Sequence, residues 1–144
     1  MTIQTLRPLS PTALVRATAP LLDAMHEQGV LVFASRLAHY APALASSDML
    51  VRTVFASLTA AAPAADRPDL SREVLVGLAL HLRDAGMAPR GYIAIHAAFL
   101  DAVADRLGTD PALTSAWETA TGTMLATMMA AAHGPRSHTT PLAA

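Results

Sequence analysis

Six histidines, His26, His39, His81, His96, His133 and His138, are the side chains best placed by type to do chemistry in this chain, and no two of them lie four residues apart. The paired imidazoles of a helical metalloprotease are therefore absent, and His26-Glu27 has no second histidine one turn on. The chain has no cysteine, which removes disulfides, iron–sulfur clusters and thiolate zinc sites and leaves histidine and carboxylate as the strong metal ligands. It has no lysine either, all ten cationic side chains being arginine, so Schiff-base and phosphate-loop lysine chemistry falls away. No G-x-S-x-G elbow and no G-x-G-x-x-G loop occurs. A single histidine on an apolar helical face suits one job in particular. It can make one axial bond to a metal already held by its own macrocycle, with the protein supplying a fifth ligand and a dry pocket.

The elements that would position such a residue must be helices. Alanine supplies 32 of 144 residues, which favours helix and makes each larger side chain a marker of where something specific fits. At this length one domain is expected, over residues 1–133, with 134–144 as a tail. With 53% apolar residues, 15% charged residues and a net charge of -1, the chain can bury a core and lacks the basic surface a nucleic acid would need. The N-terminus has no apolar run before a cleavage site, and the uncharged stretch Thr119 to Ala132 falls short of the roughly 20 apolar residues of a membrane span. No membrane partner is expected, and the cytoplasm is the simplest residence. The low charge leaves room for a helix-packed homodimer.

Six main helices follow from caps and periodicity. Ser10-Pro11 opens the first, with Leu14, Leu21, Leu22 and Met25 as its stripe and Pro20 as a kink. Gly29 separates it from a second, Val30 to about Tyr40, whose inward residues are Val30, Phe33, Leu37 and Tyr40. A third begins at Ser46-Ser47-Asp48 and carries Leu50, Val54 and Leu58 on one face. Asp69 or Ser71 caps a fourth, where Val74, Leu78, His81 and Ala85 recur at helical spacing and put His81 on the buried stripe; Gly86 ends it. Pro89 opens a fifth, with Tyr92, His96, Phe99, Val103 and Leu107 along a face, closed by Gly108. Asp110-Pro111 opens a sixth to about His133, with Leu113, Trp117, Met124 and Met128 inward. No segment alternates like a strand, so the class is all-α.

Four stretches in this order resemble a single-domain bacterial globin of the flavohaemoglobin type, over roughly Leu9 to Ala132. Thr18-Ala19-Pro20-Leu21-Leu22 with Gly29-Val30 looks like that family's first helix junction, and Met49 to Val54 like its distal helix. His81, Gly86-Met87 and Tyr92 resemble the proximal helix, the corner after it and the start of the next helix, and Ala116-Trp117 with Ala120 and Gly122 resemble the last helix. The resemblance implies a globin-like fold with haem b as cofactor and His81 as the iron ligand. Phe33, Leu37, Leu50, Val54, Leu78, Tyr92 and His96 would line the pocket. The ligand would be a diatomic gas, or a small substrate for haem-dependent oxidation, with an external reductase supplying electrons where turnover needs them. A distal hydrogen-bond donor would come from Ser46, His39 or Tyr40. The alternative is a haem-free globin-like module that uses its pocket for an apolar ligand or its surface for a protein. Its warrant is that the family's ligand position, counted back from Gly86, falls on Leu82, and only a one-residue longer corner restores His81. The stretch between Pro42 and Leu50 is also short, and the family's proximal tyrosine and glutamate map onto Thr121 and Ala132.

Overall fold

Side-chain caps set three of the helix starts in the computed structural model, which describes residues 9–134. Ser10 Oγ accepts from the Ala13 N–H at 3.1 Å, Ser47 Oγ from Leu50 at 3.2 Å and an Asp110 carboxylate oxygen from Leu113 at 3.2 Å. Each satisfies a backbone donor that the first turn leaves without a partner. The helices are α1 (Pro11–Ala24), α2 (His26–Tyr40), α3 (Asp48–Ala61), α4 (Pro68–Asp84), α5 (Gly91–Leu107) and α6 (Pro111–His133), with short 3-10 turns at Leu44–Ser46 and Ala62–Ala64. Among the described residues there is no strand. The class is all-α with six main helices, consistent with a globin-like arrangement. Gly86 and Gly108, at φ of 93° and 100°, end α4 and α5 in a backbone region that only glycine enters at little cost. The expected tail lies outside the described residues, Gly134 excepted.

The core forms where α2 crosses α5 and where α4 and α1 pack on α6, with α3 against α2 and α4. At its centre Phe33, Phe55, Phe99 and Trp117 stack in a chain from α2, α3, α5 and α6. Ring centroids are 5.7 Å apart for Phe33–Phe55, 5.6 Å for Phe55–Phe99 and 6.1 Å for Phe99–Trp117. All four rings are fully buried. The Trp117 indole N–H donates to Thr18 Oγ1 at 2.9 Å, and that hydroxyl donates to the Leu14 carbonyl at 2.7 Å, so the one polar atom of the indole also ties α6 to α1. Gly29 is what lets α3 come close. A Cβ there would stand 2.6 Å from Phe55 Cζ.

Several expectations of register need correction. Gly29 lies inside α2 rather than between helices, because the break falls at Met25, where the first helix ends. The inward residues of α1 are Val15, Ala19 and Leu22, and Leu21 is exposed. Tyr40, placed on the α2 stripe, is 45% exposed because its hydroxyl reaches out to donate to Asp101 at 2.9 Å. Neither Asp69 nor Ser71 caps α4. That helix starts at Pro68 with no side-chain cap, and Ser71 is buried with its hydroxyl turned back to the Arg67 carbonyl.

The consequential correction is the phase of α4. Its buried residues are Ser71, Leu75, Leu78, Ala79 and Leu82, whereas Val74, His81 and Ala85 face out. Two stripes cross at Leu78, both within the apolar arc of this helix. The stripe with three leucines buries more area than one with a valine, a histidine and an alanine, and the packing against α6 selects it.

Candidate functional site

Rotating α4 by that one step puts Leu82 in the core, fully buried, and turns the His81 imidazole outward. The residues expected around it separate accordingly. Phe33, Leu37, Val54 and Leu78 are all buried in one continuous apolar core, packed by other side chains of the chain. Leu50 is half-buried and is the only one of them that His81 meets in a common hollow. Tyr92 and His96 sit one turn apart on α5, away from that hollow.

The hollow beside His81 holds about 280 Å³ and is walled by the Leu44–Ser46 turn, Met49 and Leu50 at the start of α3, and Ala85. A second hollow of about 380 Å³ shares Ala43, Leu44 and Ala85 with it and runs on past Tyr40, Met87 and Arg90 to Gly91 and Ala94. The two together form a cleft between the α2–α3 connection on one side and the α4–α5 corner on the other. Leu44 is the ridge between them. Gly91 shapes the floor: a Cβ there would lie 2.5 Å from Met87 Cγ, so its absence lets the Met87 thioether lie against α5. The walls are mostly methyl and methylene groups, and the basic side chains on them are Arg90 and His81, with the Tyr40 ring at one edge.

Of the expected donors, Ser46 and Tyr40 border this cleft and His39 does not, and none offers it a free hydroxyl. Ser46 donates to the Ala43 carbonyl, the Tyr40 hydroxyl is engaged with Asp101, and His39 is exposed with its ring edge against Tyr40. A haem held by His81 needs an imidazole aimed into a slot between α3 and α4. Here the inward positions of that pair, Val54, Leu58, Leu78 and Leu82, are occupied by buried aliphatic side chains, and the imidazole points away from them. The residues present therefore do not fit an iron porphyrin ligated from α4. Among the described residues no three histidine or carboxylate side chains group to hold a metal ion, and no helix is long and apolar enough to cross a membrane.

Buried polar atoms lie instead between α5 and α6. Tyr92 Oη, His96 Nε2, Thr121 Oγ1 and His133 Nε2 are all out of solvent, and none has a partner among the described residues. The Tyr92 and His133 rings meet edge to face at 5.9 Å. The positions resembling the globin family's proximal tyrosine and glutamate, Thr121 and Ala132, are both buried and supply no acid. Burial raises the pKa of the Tyr92 hydroxyl, because the phenolate would lose its water. A raised native pKa means stability that is complete below the unfolded value of about 10 and is lost as pH climbs through the native one. Tyr40 is raised too, first by its hydrogen bond to Asp101, so the comparison belongs in a Tyr40→Phe background. There, urea midpoints should fall above about pH 10 and Tyr92→Phe should flatten that fall. An unchanged slope would show that Tyr92 is not the group responsible.

Comparison with protein-family models and with curated proteins finds no match to this chain. Two residues that now define the cleft, Leu44 and Arg90, carry no signal in the periodicity. Arg90 stands between Pro89 and Gly91, and a charged residue between two helix punctuators is the trace it leaves.

Proposed function

We propose that the chain is a haem-free globin-like module that binds a small, largely apolar ligand in the cleft between the α2–α3 connection and the α4–α5 corner. The observation that carries this reading is the register of α4, with Leu82 inward and His81 outward on the open hollow. That register leaves no imidazole in the interior between α3 and α4. The hollow that His81 borders, and the larger one beside it, are walled mainly by methyl and methylene groups. A hollow of about 380 Å³ lies within the range of roughly 300 to 1,000 Å³ used for small ligands, and predominantly apolar walls with few polar groups are the usual composition of such sites. The chemistry is binding: the two hydroxyls that share the smaller hollow with His81, on Ser46 and Ser47, are engaged with backbone groups of their own turn.

Native mass spectrometry of protein taken directly from expressing cells, set against the denatured mass, tests the reading. A noncovalent organic adduct is expected in the wild type and should be lost in Leu44→Trp, whose indole fills the space on either side of the ridge. Ligand at a hundred times its dissociation constant would raise stability by about 2.7 kcal/mol, so the adduct-bearing fraction should also melt higher. An adduct that persists in a folded Leu44→Trp protein, or a wild type that carries none and is stabilised by no small apolar compound, would overturn it.

A further inference from the structure

We infer that the cleft takes an amphiphilic monoanion, a carboxylate on a medium-length apolar chain, and that the Arg90 guanidinium anchors its head. This deepens the cleft reading and rests on it. Five arginines, Arg16, Arg36, Arg52, Arg83 and Arg106, lie against a carboxylate within 4 Å. Arg67, Arg72 and Arg90 pair with no acid among the described residues, and of these three it is Arg90 that borders the cleft, exposed at the rim of the larger hollow. Neither hollow has an aspartate or glutamate on its walls. The charge left for a ligand to meet is therefore positive. A guanidinium presents two parallel N–H donors that match the two oxygens of a carboxylate. One such group suits a monoanion better than a phosphate dianion, which would call for a second cation close by. His81, the other basic side chain, lines the adjoining hollow and not the one that Arg90 borders.

Below the head the walls are largely apolar, and the hydroxyl of Tyr40, the polar group on them, is engaged with Asp101. Leu44, Ala41, Ala94 and the adaptable Met87 thioether offer no hydrogen bond to a polar body. A methylene fills about as much space as the ~30 Å³ share of a water, so the larger hollow accepts a chain on the order of ten carbons.

Calorimetric titration of the whole protein with decanoate, decanol and decyltrimethylammonium, all below their micelle concentrations, separates the possibilities. Decanoate should bind at least tenfold more tightly than the other two. That preference should vanish in Arg90→Gln, an exposed replacement that leaves the apolar walls intact, and all binding should vanish in Leu44→Trp, with circular dichroism verifying the fold of each variant. Equal binding of decanoate and decanol, both lost in Leu44→Trp, would overturn the anionic head while leaving the cleft as a ligand site. A decanoate preference that survives Arg90→Gln and is lost in His81→Gln would overturn the assignment to Arg90. Binding of none of the three, or binding indifferent to Leu44→Trp, would overturn the inference and the cleft reading together.

Discussion

Trp117→Ala is expected to cost about 3 to 5 kcal/mol of unfolding free energy, the range for deleting a large aromatic side chain from a close-packed core. The indole is fully buried and stands at the end of the ring chain that joins α2, α3, α5 and α6, in contact with Phe99 at 6.1 Å. Its loss opens a cavity where four helices meet, and no neighbouring segment is free to close it. The same substitution strips Thr18 Oγ1 of its donor, although that hydroxyl keeps its own bond to the Leu14 carbonyl. Trp117→Phe, which retains most of the volume and loses only the N–H, should cost clearly less. Urea denaturation read by circular dichroism measures both. A Trp117→Ala protein within 1 kcal/mol of the wild type would mean that α1 and α6 do not pack as described.

The second large effect is an asymmetry between neighbours. Leu82→Ala should cost about 2 to 5 kcal/mol, because Leu82 is fully buried beside Leu78 and Ala79 on the inward stripe of α4. His81→Ala should stay within about 0.5 kcal/mol, as exposed substitutions without a special partner do. Adjacent residues on a helix are about 100° apart around its axis, so the pair reports the phase of α4 with little dependence on anything else. A reversal, with His81→Ala costly and Leu82→Ala neutral, would restore the stripe through Val74, His81 and Ala85 and with it an inward imidazole.

That phase is also the clearest example of what periodicity alone could and could not settle. Helix ends were legible at most local devices, though Pro68 opens α4 in place of the expected Asp69 or Ser71, and α5 begins at Gly91, two residues after the expected Pro89. Ser10-Pro11, Ser47 and Asp110-Pro111 cap as expected, and Gly86 and Gly108 close α4 and α5 with positive φ. Faces were legible where one set of large side chains recurs at helical spacing. Phe33 and Leu37 on α2, Val54 and Leu58 on α3, and Trp117, Met124 and Met128 on α6 all point inward as their spacing implies. On α4 the polar face of Asp69, Arg72, Glu73 and Arg83 stands opposite an apolar arc, from Leu70 and Val74 through Leu78 to Leu82 and Leu75, that is wide enough for two neighbouring stripes to fit it. Only the tertiary choice of partner, α6 and α3, fixes which of them go in. The cleft was not legible for a different reason. Its walls come largely from two connections some forty residues apart, and the alanines, prolines and glycines in those connections have no helical spacing to read. Leu50 and His81 were both singled out, yet what unites them is a surface hollow and not a buried slot.

Haem supplied to the purified, folded protein, with visible absorption recorded for the ferric and the reduced form, puts the register of α4 to its sharpest trial. With Leu82 inward and His81 turned out, the wild type should give no histidine-ligated ferrous spectrum, and His81→Ala should give the same nonspecific haem spectrum as the wild type. A stoichiometric Soret band with a histidine–iron signature in the wild type, lost in a folded His81→Ala protein, would contradict the haem-free reading outright.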